Sequence, residues 1–326
     1  MGLSARFLNA HIHEWEQKLK GPSYPHRQHW PSRLFHHAPI ENAVSILRSG
    51  QLLSRIDSEK TRPRDVAAAG VIDHSQRAHQ FARLYFRPRT PTQFHIEGIR
   101  KAGECQHGDN THAPVLIMLV FDARQVLSSD GVCFSDPNMQ TGVVERSTED
   151  GFRVIPFDKV YNEGGIAGDT SITKHRCAEV LVPSPMALDG RLRWIYCRSE
   201  AERVTLIQAL GHYAMLWAKR IVISDDLKVF EKRFTFVESV SLANDGVIFR
   251  LNPRYDLRQI AVKVEARDTN GRLVARFETT GIAAWPPSAS AWRVKAQLKP
   301  GVYQVIIELD GHRAYEALLR LDEIPF

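Results

Sequence analysis

Cysteine is scarce in this sequence of 326 residues, and no two of its four cysteines have the C-x2-C spacing typical of zinc sites. The cysteines are Cys105, Cys133, Cys177 and Cys197. Long apolar runs are also missing, since no segment approaches the roughly 18 apolar residues of a membrane span and the N-terminus lacks a signal peptide. We therefore predict reduced thiols, no metal site, no membrane contact and a cytoplasmic location.

The composition is that of a folded chain with more than one domain. Hydrophobic residues make up 43% of the sequence and charged residues 25%, which excludes a mostly disordered protein. At about 100–200 residues per domain, the length predicts two domains. Near residue 230 the sequence changes from mixed helical and strand patterns to short strand-like runs. We therefore predict domains at 1–230 and 231–326.

Positive charge predominates, with a net charge of +6, and the basic residues are unevenly distributed. Eight arginines lie between residues 50 and 101, interleaved with Tyr85, Phe86 and Phe94. Arginine interleaved with aromatic residues is typical of surfaces that bind single-stranded nucleic acid. A solvated basic face is an equally good interpretation of the same residues.

The predicted N-terminal domain mixes helical and strand patterns. Apolar residues with helical spacing occur at 40–50 and at 198–219, and the second stretch predicts one long helix with Ser199 as a candidate N-cap and Leu216 among its inward residues. Short apolar runs at 115–121 and 178–182 are typical of buried strands. This mixture predicts an α+β domain.

The predicted C-terminal domain consists of short strand-like runs separated by turn residues. The turns include "DTNG", "KPG" and "DG", which are typical of hairpins between antiparallel strands. We predict an antiparallel β-sandwich that resembles immunoglobulin-type modules only in its strand spacing.

The first stretch with candidate functional residues is "LFHHAPIENAVSIL" at 34–47. His36 follows a short apolar strand, and Asn42 falls in the first turn of the next helix. A strand-end histidine can hydrogen-bond a ribose hydroxyl, while a helix start offers free N–H groups to an anion. Taken alone, a structural role for His36 is the stronger interpretation.

The second stretch is "RLYFRPRTP" at 83–91, in which two prolines flank Arg89. Each proline fixes its own backbone angle and restricts the residue before it, so Arg89 should lie on a stiff, extended segment. An arginine held in this way recognises phosphate well. A simple turn after an edge strand is the alternative interpretation.

The third stretch leads to Glu179, a carboxylate at the head of the apolar run 180–182. A buried carboxylate is costly unless it is solvated, paired or functional. The preceding segment 161–176 is rich in Gly, Ser and Thr without helical or alternating periodicity. A loop followed by a glutamate at the start of a strand is typical of a catalytic site.

In their order and spacing, these three stretches and the strand "VLIMLVFDAR" at 115–124 resemble the DarT family, bacterial toxins that transfer ADP-ribose from NAD to nucleic-acid bases. The resemblance covers residues 33–215. It implies an α+β fold with the split central β-sheet of an ADP-ribosyltransferase, and NAD as co-substrate. The C-terminal domain has no counterpart in the family, and we predict that it contacts a partner or the target.

The resemblance also implies roles for individual residues. Glu179 would be the catalytic acid, and His36 and Asn42 would bind NAD. Tyr85 or Phe86 would form the wall on the nicotinamide side. These roles are carried over from the matching family motifs.

Three further assignments follow from the same resemblance. Arg89 would support binding of phosphate or of the target. The family uses an arginine before its aromatic segment, for which Arg77 is the best placed candidate, while Arg62, Arg64 and Arg83 remain open. Ala38 and Pro39 replace a Thr-His pair that is frequent in the family, so His37 would compensate.

The target implied by the resemblance is single-stranded DNA or RNA, because an unpaired base is accessible to an enzyme that modifies it. A cognate antitoxin and a role as a toxin or anti-phage effector are implied as well. Two other functions stay open: a nucleic-acid-binding protein without catalysis, and a metal-free ribonuclease that uses His36 and Glu179.

Overall fold

The computed structural model describes residues 2–66, 77–100, 103–105, 108, 111–139, 144–252, 258–283 and 291–322. The chain divides into two compact units. The first comprises Met1–Ile96, Ile117–Tyr196 and Ser224–Glu231, and the second comprises Glu97–Leu116, Cys197–Ile223 and Lys232–Phe326. The last break lies beside the predicted boundary near residue 230, and two earlier segments belong to the second unit.

The α-helices are short apart from the first, second and eighth. They are Ala5–Lys18 (α1), Ile40–Ser49 (α2), Pro91–Ile96 (α3), Ala123–Leu127 (α4), Glu149–Arg153 (α5), Phe157–Val160 (α6), Ser171–His175 (α7), Glu200–Leu210 (α8) and Ala214–Trp217 (α9). Short 3₁₀ turns occur at Pro25–His29, Ala78–Gln80, Gly211–Tyr213 and Ala218–Arg220.

The strands of the N-terminal part are Arg33–Pro39 (β1), Gln51–Leu52 (β2), Phe81–Tyr85 (β3), Leu116–Asp122 (β4), Cys133–Ser135 (β5), Glu179–Pro183 (β6), Met186–Ala187 (β7), Leu192–Tyr196 (β8) and Ile221–Val222 (β9). The C-terminal strands are Val237–Ala243 (β10), Gly246–Leu251 (β11), Gln259–Asp268 (β12), Leu273–Ala283 (β13), Trp292–Lys295 (β14), Gly301–Leu309 (β15) and His312–Leu321 (β16).

Six strands of the first unit lie in one sheet, in the order β5-β6-β3-β1-β4-β8. β3 pairs antiparallel with both β1 and β6, and β5 pairs antiparallel with β6. Every residue of β4 is buried, as expected for an apolar strand covered on both faces. The mixture of helices with a central sheet confirms the predicted α+β class.

The C-terminal strands form two antiparallel sheets, β10-β11-β14 and β13-β12-β15-β16. Inward residues of both sheets belong to one buried cluster, which includes Phe249, Val264 and Val305. The "DG" turn joins β15 to β16, with Asp310 at φ 46° and Gly311 at φ 79°, the two positive angles of a tight hairpin turn. The predicted antiparallel β-sandwich is confirmed.

The single helix predicted over 198–219 is wrong in its second half. Ser199 caps the helix as predicted, since its side chain accepts from the N–H of Glu202. The helix then stops at Gly211, whose φ of 61° and ψ of −132° are accessible essentially only to glycine. The break changes the phase of the residues after it, so Leu216, predicted to face inward, is 68% exposed.

Across the ranges that the structure describes, no helix is long and apolar enough to cross a membrane. The same residues contain no group of three side chains placed to hold a metal ion. None of the four cysteines forms a disulfide.

Candidate active site

The register of three neighbouring strands brings four polar side chains to one face of the first unit's sheet. Tyr85 in β3 lies opposite both Phe35 in β1 and Glu179 in β6. Residues opposite each other in antiparallel strands share a face, and so do residues two positions apart in one strand. Arg83 and His37 therefore lie on the face that carries Tyr85 and Glu179.

Arg83 is the partner of the predicted catalytic carboxylate. Its Nε lies 3.0 Å from Glu179 Oε1, and its Nη2 donates to the same oxygen. The main-chain N–H of Met139 donates to Oε2 at 3.3 Å. Glu179 is fully buried, so these donors fix its orientation and explain how a carboxylate can begin a buried strand.

The charge state of Arg83 follows from two opposing effects. Burial lowers the pKa of Arg83, but the neighbouring Glu179 carboxylate raises it, and the net pKa lies above the ordinary arginine value. Arg83 therefore stays protonated beside Glu179. The pair can hold a negative oxygen where positive charge develops on a substrate.

Tyr85 and His37 form a flat, uncharged surface beside this ion pair. Their rings are stacked, with centroids 5.3 Å apart and planes inclined by 6°. Burial raises the pKa of Tyr85. Burial also lowers the pKa of His37 to about 3, with His36 and Arg83 acting in the same direction. Both rings are therefore neutral at pH 7.

His36 is tied to the main chain of β3. Its Nδ1 lies 2.9 Å from the carbonyl oxygen of Arg83, and because a carbonyl can only accept, Nδ1 carries the proton. Burial lowers the pKa of His36, which leaves the ring neutral and Nε2 as an acceptor. An acceptor of this kind can bind a sugar hydroxyl.

Asn42 lies in the first turn of α2, as predicted, and holds a neighbouring loop. Its Nδ2 donates to the carbonyl oxygen of Arg64 at 2.8 Å, and the N–H of Arg64 donates to its Oδ1 at 3.0 Å. The Arg64 side chain forms an ion pair with Glu41 at 3.5 Å. The structure thus places Asn42 against the backbone of Arg64.

Arg77 and Phe86 lie apart from the Glu179 carboxylate. Arg77 is 68% exposed and forms an ion pair with Glu145, so the arginine that contacts Glu179 is Arg83 and not Arg77. Phe86 follows Tyr85 in the chain and points to the opposite face, where it packs edge to face on Phe152 and Phe157. The aromatic wall of the site contains Tyr85, whereas Phe86 belongs to a hydrophobic core.

Arg89 has an unusual backbone and an acidic partner. Its φ is 54°, in the left-handed region that non-glycine residues rarely adopt, and its main-chain N–H donates to Gln93 Oε1 at 2.8 Å. The guanidinium donates to Glu163 Oε2 at 2.9 Å and lies 3.0 Å from His26 Nε2. Arg89 is held by several partners, but its left-handed backbone shows that the prediction of an extended segment is wrong at this residue.

Part of the basic segment between residues 50 and 101 is neutralised locally. Arg55 makes a two-point contact with Asp65, with N–O distances of 3.1 and 2.6 Å. Arg62 reaches the same carboxylate at 3.3 Å. Arg62 is therefore held by Asp65, not by Glu179.

Ser135, Asp136 and His175 were not predicted. Ser135 lies opposite Glu179 in the β5–β6 pair, and its buried hydroxyl meets no hydrogen-bond partner among the described residues. The Nδ1 of His175 lies 2.7 Å from Asp136 Oδ1. Only the pairing of the three-residue strand β5 with β6 reveals these neighbours, and so short a strand gives no periodic signal in the sequence.

Comparison with known proteins gives a family match. The family model described as "ssDNA thymidine ADP-ribosyltransferase, DarT" matches residues 35–225, which is more than half of the chain. A search of curated proteins found no match.

Solved structures give a similar result for the fold. The structure of Thermus sp. 2.9 DarT in complex with ADP-ribosylated ssDNA matches with a TM-score of 0.50 and 18% identity, over 60% of this chain and 96% of that chain. The same Thermus protein in complex with carba-NAD+ gives 0.48 at 18% identity, over 60% and 97%. Thermosipho africanus DarTG in complex with ADP-ribose gives 0.46 at 18% identity, over 67% and 55%. The first of these likenesses confirms the predicted ADP-ribosyltransferase-like fold.

Proposed function

The chain belongs to the DarT family of NAD-dependent mono-ADP-ribosyltransferases, and on that premise we propose that it transfers ADP-ribose from NAD to a thymine base of single-stranded DNA. The observation that carries this proposal is the buried Glu179 carboxylate, oriented by Arg83 on the same face as Tyr85 and His37. Such a site suits a reaction in which positive charge develops at a sugar carbon.

NAD would supply an ADP-ribosyl group, because the bond between its C1′ and the nicotinamide nitrogen breaks with the electrons leaving on nicotinamide. The Glu179 carboxylate stabilises the positive charge that develops at C1′, as a carboxylate does in glycoside cleavage. The attacking base nitrogen must lose a proton, and Glu179 is the acceptor that the site offers. Arg83 acts by keeping the carboxylate oriented.

Residues of β1, β3 and α2 would hold the nucleotide. His36 is neutral and would offer Nε2 to a ribose hydroxyl, the role that the family resemblance implies. The stacked rings of Tyr85 and His37 offer a flat surface for the nicotinamide ring. Asn42 contributes by fixing the loop that carries Arg64. Arg77 and Phe86 are outside this proposal because their side chains lie elsewhere.

Single-stranded DNA is the favoured target over RNA because the family model is described for ssDNA thymidine. A base must be free of its duplex to reach a catalytic carboxylate. The net charge of +6 favours any polyanionic strand and does not discriminate between the two.

The biological setting that we propose is that of a toxin. An enzyme that modifies bases endangers its own cell, so we expect a cognate antitoxin and a role against phage or in growth control, in the cytoplasm where NAD and DNA are both present. The C-terminal β-sandwich is our candidate for contacting that partner or the target.

The test is mass spectrometry of single-stranded DNA and RNA oligonucleotides after incubation with the protein and NAD. We expect an added ADP-ribose on thymine-containing DNA with the intact chain, and none with Glu179→Gln. Glu145→Gln is the matched control. It makes the same change in the carboxylate that pairs with Arg77, away from Glu179, and this variant should label normally.

Other results would select other functions. Label on RNA alone would replace the target in our proposal. Cleaved RNA without dependence on NAD would favour a ribonuclease using His36 and Glu179. Binding of a strand with neither label nor cleavage would favour a protein without catalysis.

A further inference from the structure

Four arginines of the first unit converge on the short segment 161–164, which we call the clamped segment. The arginine cluster consists of Arg27, Arg87, Arg89 and Arg176. Its guanidinium groups donate to the carbonyl oxygens of three clamped residues and to the carboxylate of the fourth. Glu163 supplies that carboxylate, with its Oε2 2.9 Å from Arg89 Nη2 and 3.2 Å from Arg87 Nη2.

Positive charge exceeds negative charge in this cluster. Glu163 acts on the guanidinium groups of Arg87, Arg89 and Arg176, and Glu231 adds a second negative charge that acts on Arg87 and Arg176. Four charges against two leave two positive charges in excess. Burial lowers the pKa of Arg87 to about 9, and repulsion from Arg176 and Arg89 acts in the same direction.

Three donors of the cluster also lack acceptors. The Nε atoms of Arg27, Arg89 and Arg176 are buried, and they meet no hydrogen-bond partner in the part of the chain that the structure describes. Buried guanidinium N–H groups without acceptors are costly, and a native site with several of them calls for an explanation. Holding the clamped segment does not require these three donors.

The arginine cluster is a neighbour of the Glu179 site. The thiol of Cys177 lies within electrostatic reach of both Glu179 and Arg87, with Arg83 acting on it as well. Cys177 therefore connects the cluster to the catalytic carboxylate two residues later in the chain. Arg87 lies two residues after Tyr85, which is opposite Glu179, and Arg176 lies three residues before Glu179, so one extended ligand can reach both the cluster and the carboxylate.

We propose that the arginine cluster is a phosphate-binding site, that the Glu163 carboxylate occupies it in the free protein, and that a substrate phosphate displaces Glu163. Guanidinium groups bind phosphate oxygens through paired N–H groups, and once Glu163 is displaced only Glu231 opposes the four arginines, which leaves three positive charges in excess for two phosphate charges. The pyrophosphate of NAD and the backbone of a DNA strand share this chemistry. The choice between these two sources rests on the proposed function.

The experiment measures binding without turnover, in full-length protein carrying Glu179→Gln. Inorganic pyrophosphate, NAD and a thymine-containing single-stranded oligonucleotide are titrated separately by calorimetry. Adding Glu163→Gln removes the internal competitor, so the Kd for pyrophosphate and for at least one substrate should fall about tenfold. Adding Arg176→Gln should raise the same constants about tenfold.

The control is Arg193→Gln, an arginine of the same unit that is 48% exposed and paired with Asp122. It removes one positive charge as Arg176→Gln does, and it should leave every Kd within about twofold. Thermal unfolding of each variant establishes that it is folded.

The results distinguish the sources and can overturn the proposal. An effect on NAD alone assigns the pyrophosphate, and an effect on the oligonucleotide alone assigns the strand. Altered melting temperatures with unchanged Kd values for NAD and the oligonucleotide, with or without an effect on pyrophosphate, would show that the arginines only hold the clamped segment. Nothing is transferred in these titrations, so the two proposals can fail separately. If the Glu179→Gln protein binds as expected but the intact chain labels no DNA, the proposed function is refuted and this site stands.

Discussion

Among the described residues, Arg83 is the side chain that balances the charge of Glu179, and it orients the carboxylate together with the main-chain N–H of Met139. The sequence could not identify this partner, because Arg77 and Arg83 both precede the aromatic segment and only the pairing of β3 with β6 decides between them. Alternation along β3 does place Arg83 on the same face as Tyr85, and that pattern was readable. The same alternation explains why Tyr85 lies on the face that carries Glu179 whereas Phe86, the next residue, points to the opposite face.

Replacing Arg83 by lysine should separate the two candidate arginines. Lysine keeps the charge but loses the two-point geometry, so we expect Arg83→Lys to lower kcat by about 10²–10³. Arg77→Lys should stay within about twofold, because the Arg77 side chain is 68% exposed and does not contact Glu179. Initial rates of DNA labelling with saturating NAD measure both effects, and an equal loss in the two variants would contradict our assignment.

His37 predicts a pH dependence of stability. Its folded-state pKa of about 3 lies below the ordinary value of 6.5, so the unfolded chain binds the proton more readily. The stabilisation is present above pH 6.5 and is lost as the pH falls from there towards 3, by at most about 1.4 kcal/mol per pH unit.

Urea unfolding at several pH values between 7 and 4 tests this expectation. The difference in stability between the parent and His37→Phe should change over this range, with the parent losing more as the pH falls. The exposed His13, changed in the same way, is the control. Parallel stability curves for the parent and His37→Phe would argue against a buried neutral ring.

Among the elements, those set by local chemistry were predictable and those set by tertiary context were not. The hairpin at Asp310 and Gly311 and the N-cap at Ser199 follow from residues next to one another in the chain. The end of α8 does not, because the apolar spacing continues past Gly211 and only the observed backbone angles reveal the break. β5 was missed because three residues show no period.

The break after α8 predicts the effect of one substitution. No atom lies within 4 Å of a Cβ built at Gly211, so Gly211→Ala causes no clash, and any cost comes from its backbone angles. We expect a loss of about 1–3 kcal/mol in the free energy of unfolding.

Gly21→Ala is the matched control, since Gly21 also has open space around its Cβ and has no positive φ. It should change stability by less than about 0.5 kcal/mol. Chemical denaturation measures both, and equal effects would show that α8 continues through residue 211 in solution.

For the whole molecule, composition predicted a folded, basic, two-part protein, and the order of motifs predicted its family. The first unit agrees with that resemblance because β1, α2 and the strand that begins with Glu179 follow in the order of the family motifs. The second unit draws residues from 97–116 and 197–223 as well as from the C-terminal part. No change in composition marks those segments, so the sequence could not assign them.

The proposed toxicity can be tested with the whole chain. Induced expression in a bacterial host should slow growth and leave ADP-ribose on its DNA, whereas Glu179→Gln at equal protein level should do neither. Growth curves with immunoblots measure the outcome. Normal growth with abundant, unmutated protein and unlabelled DNA would speak against a toxin.

Arg83 pairs with Glu179 through its side chain, and its carbonyl oxygen accepts the ring N–H of His36. Position 83 therefore joins strands whose segments are synthesised well before and well after it. A nascent chain that has not yet emerged from the ribosome as far as residue 179 therefore lacks the paired Arg83 and Glu179 of the proposed active site. Under the proposed toxin function, activity would begin only once translation has passed that point, which gives the proposed antitoxin time to act.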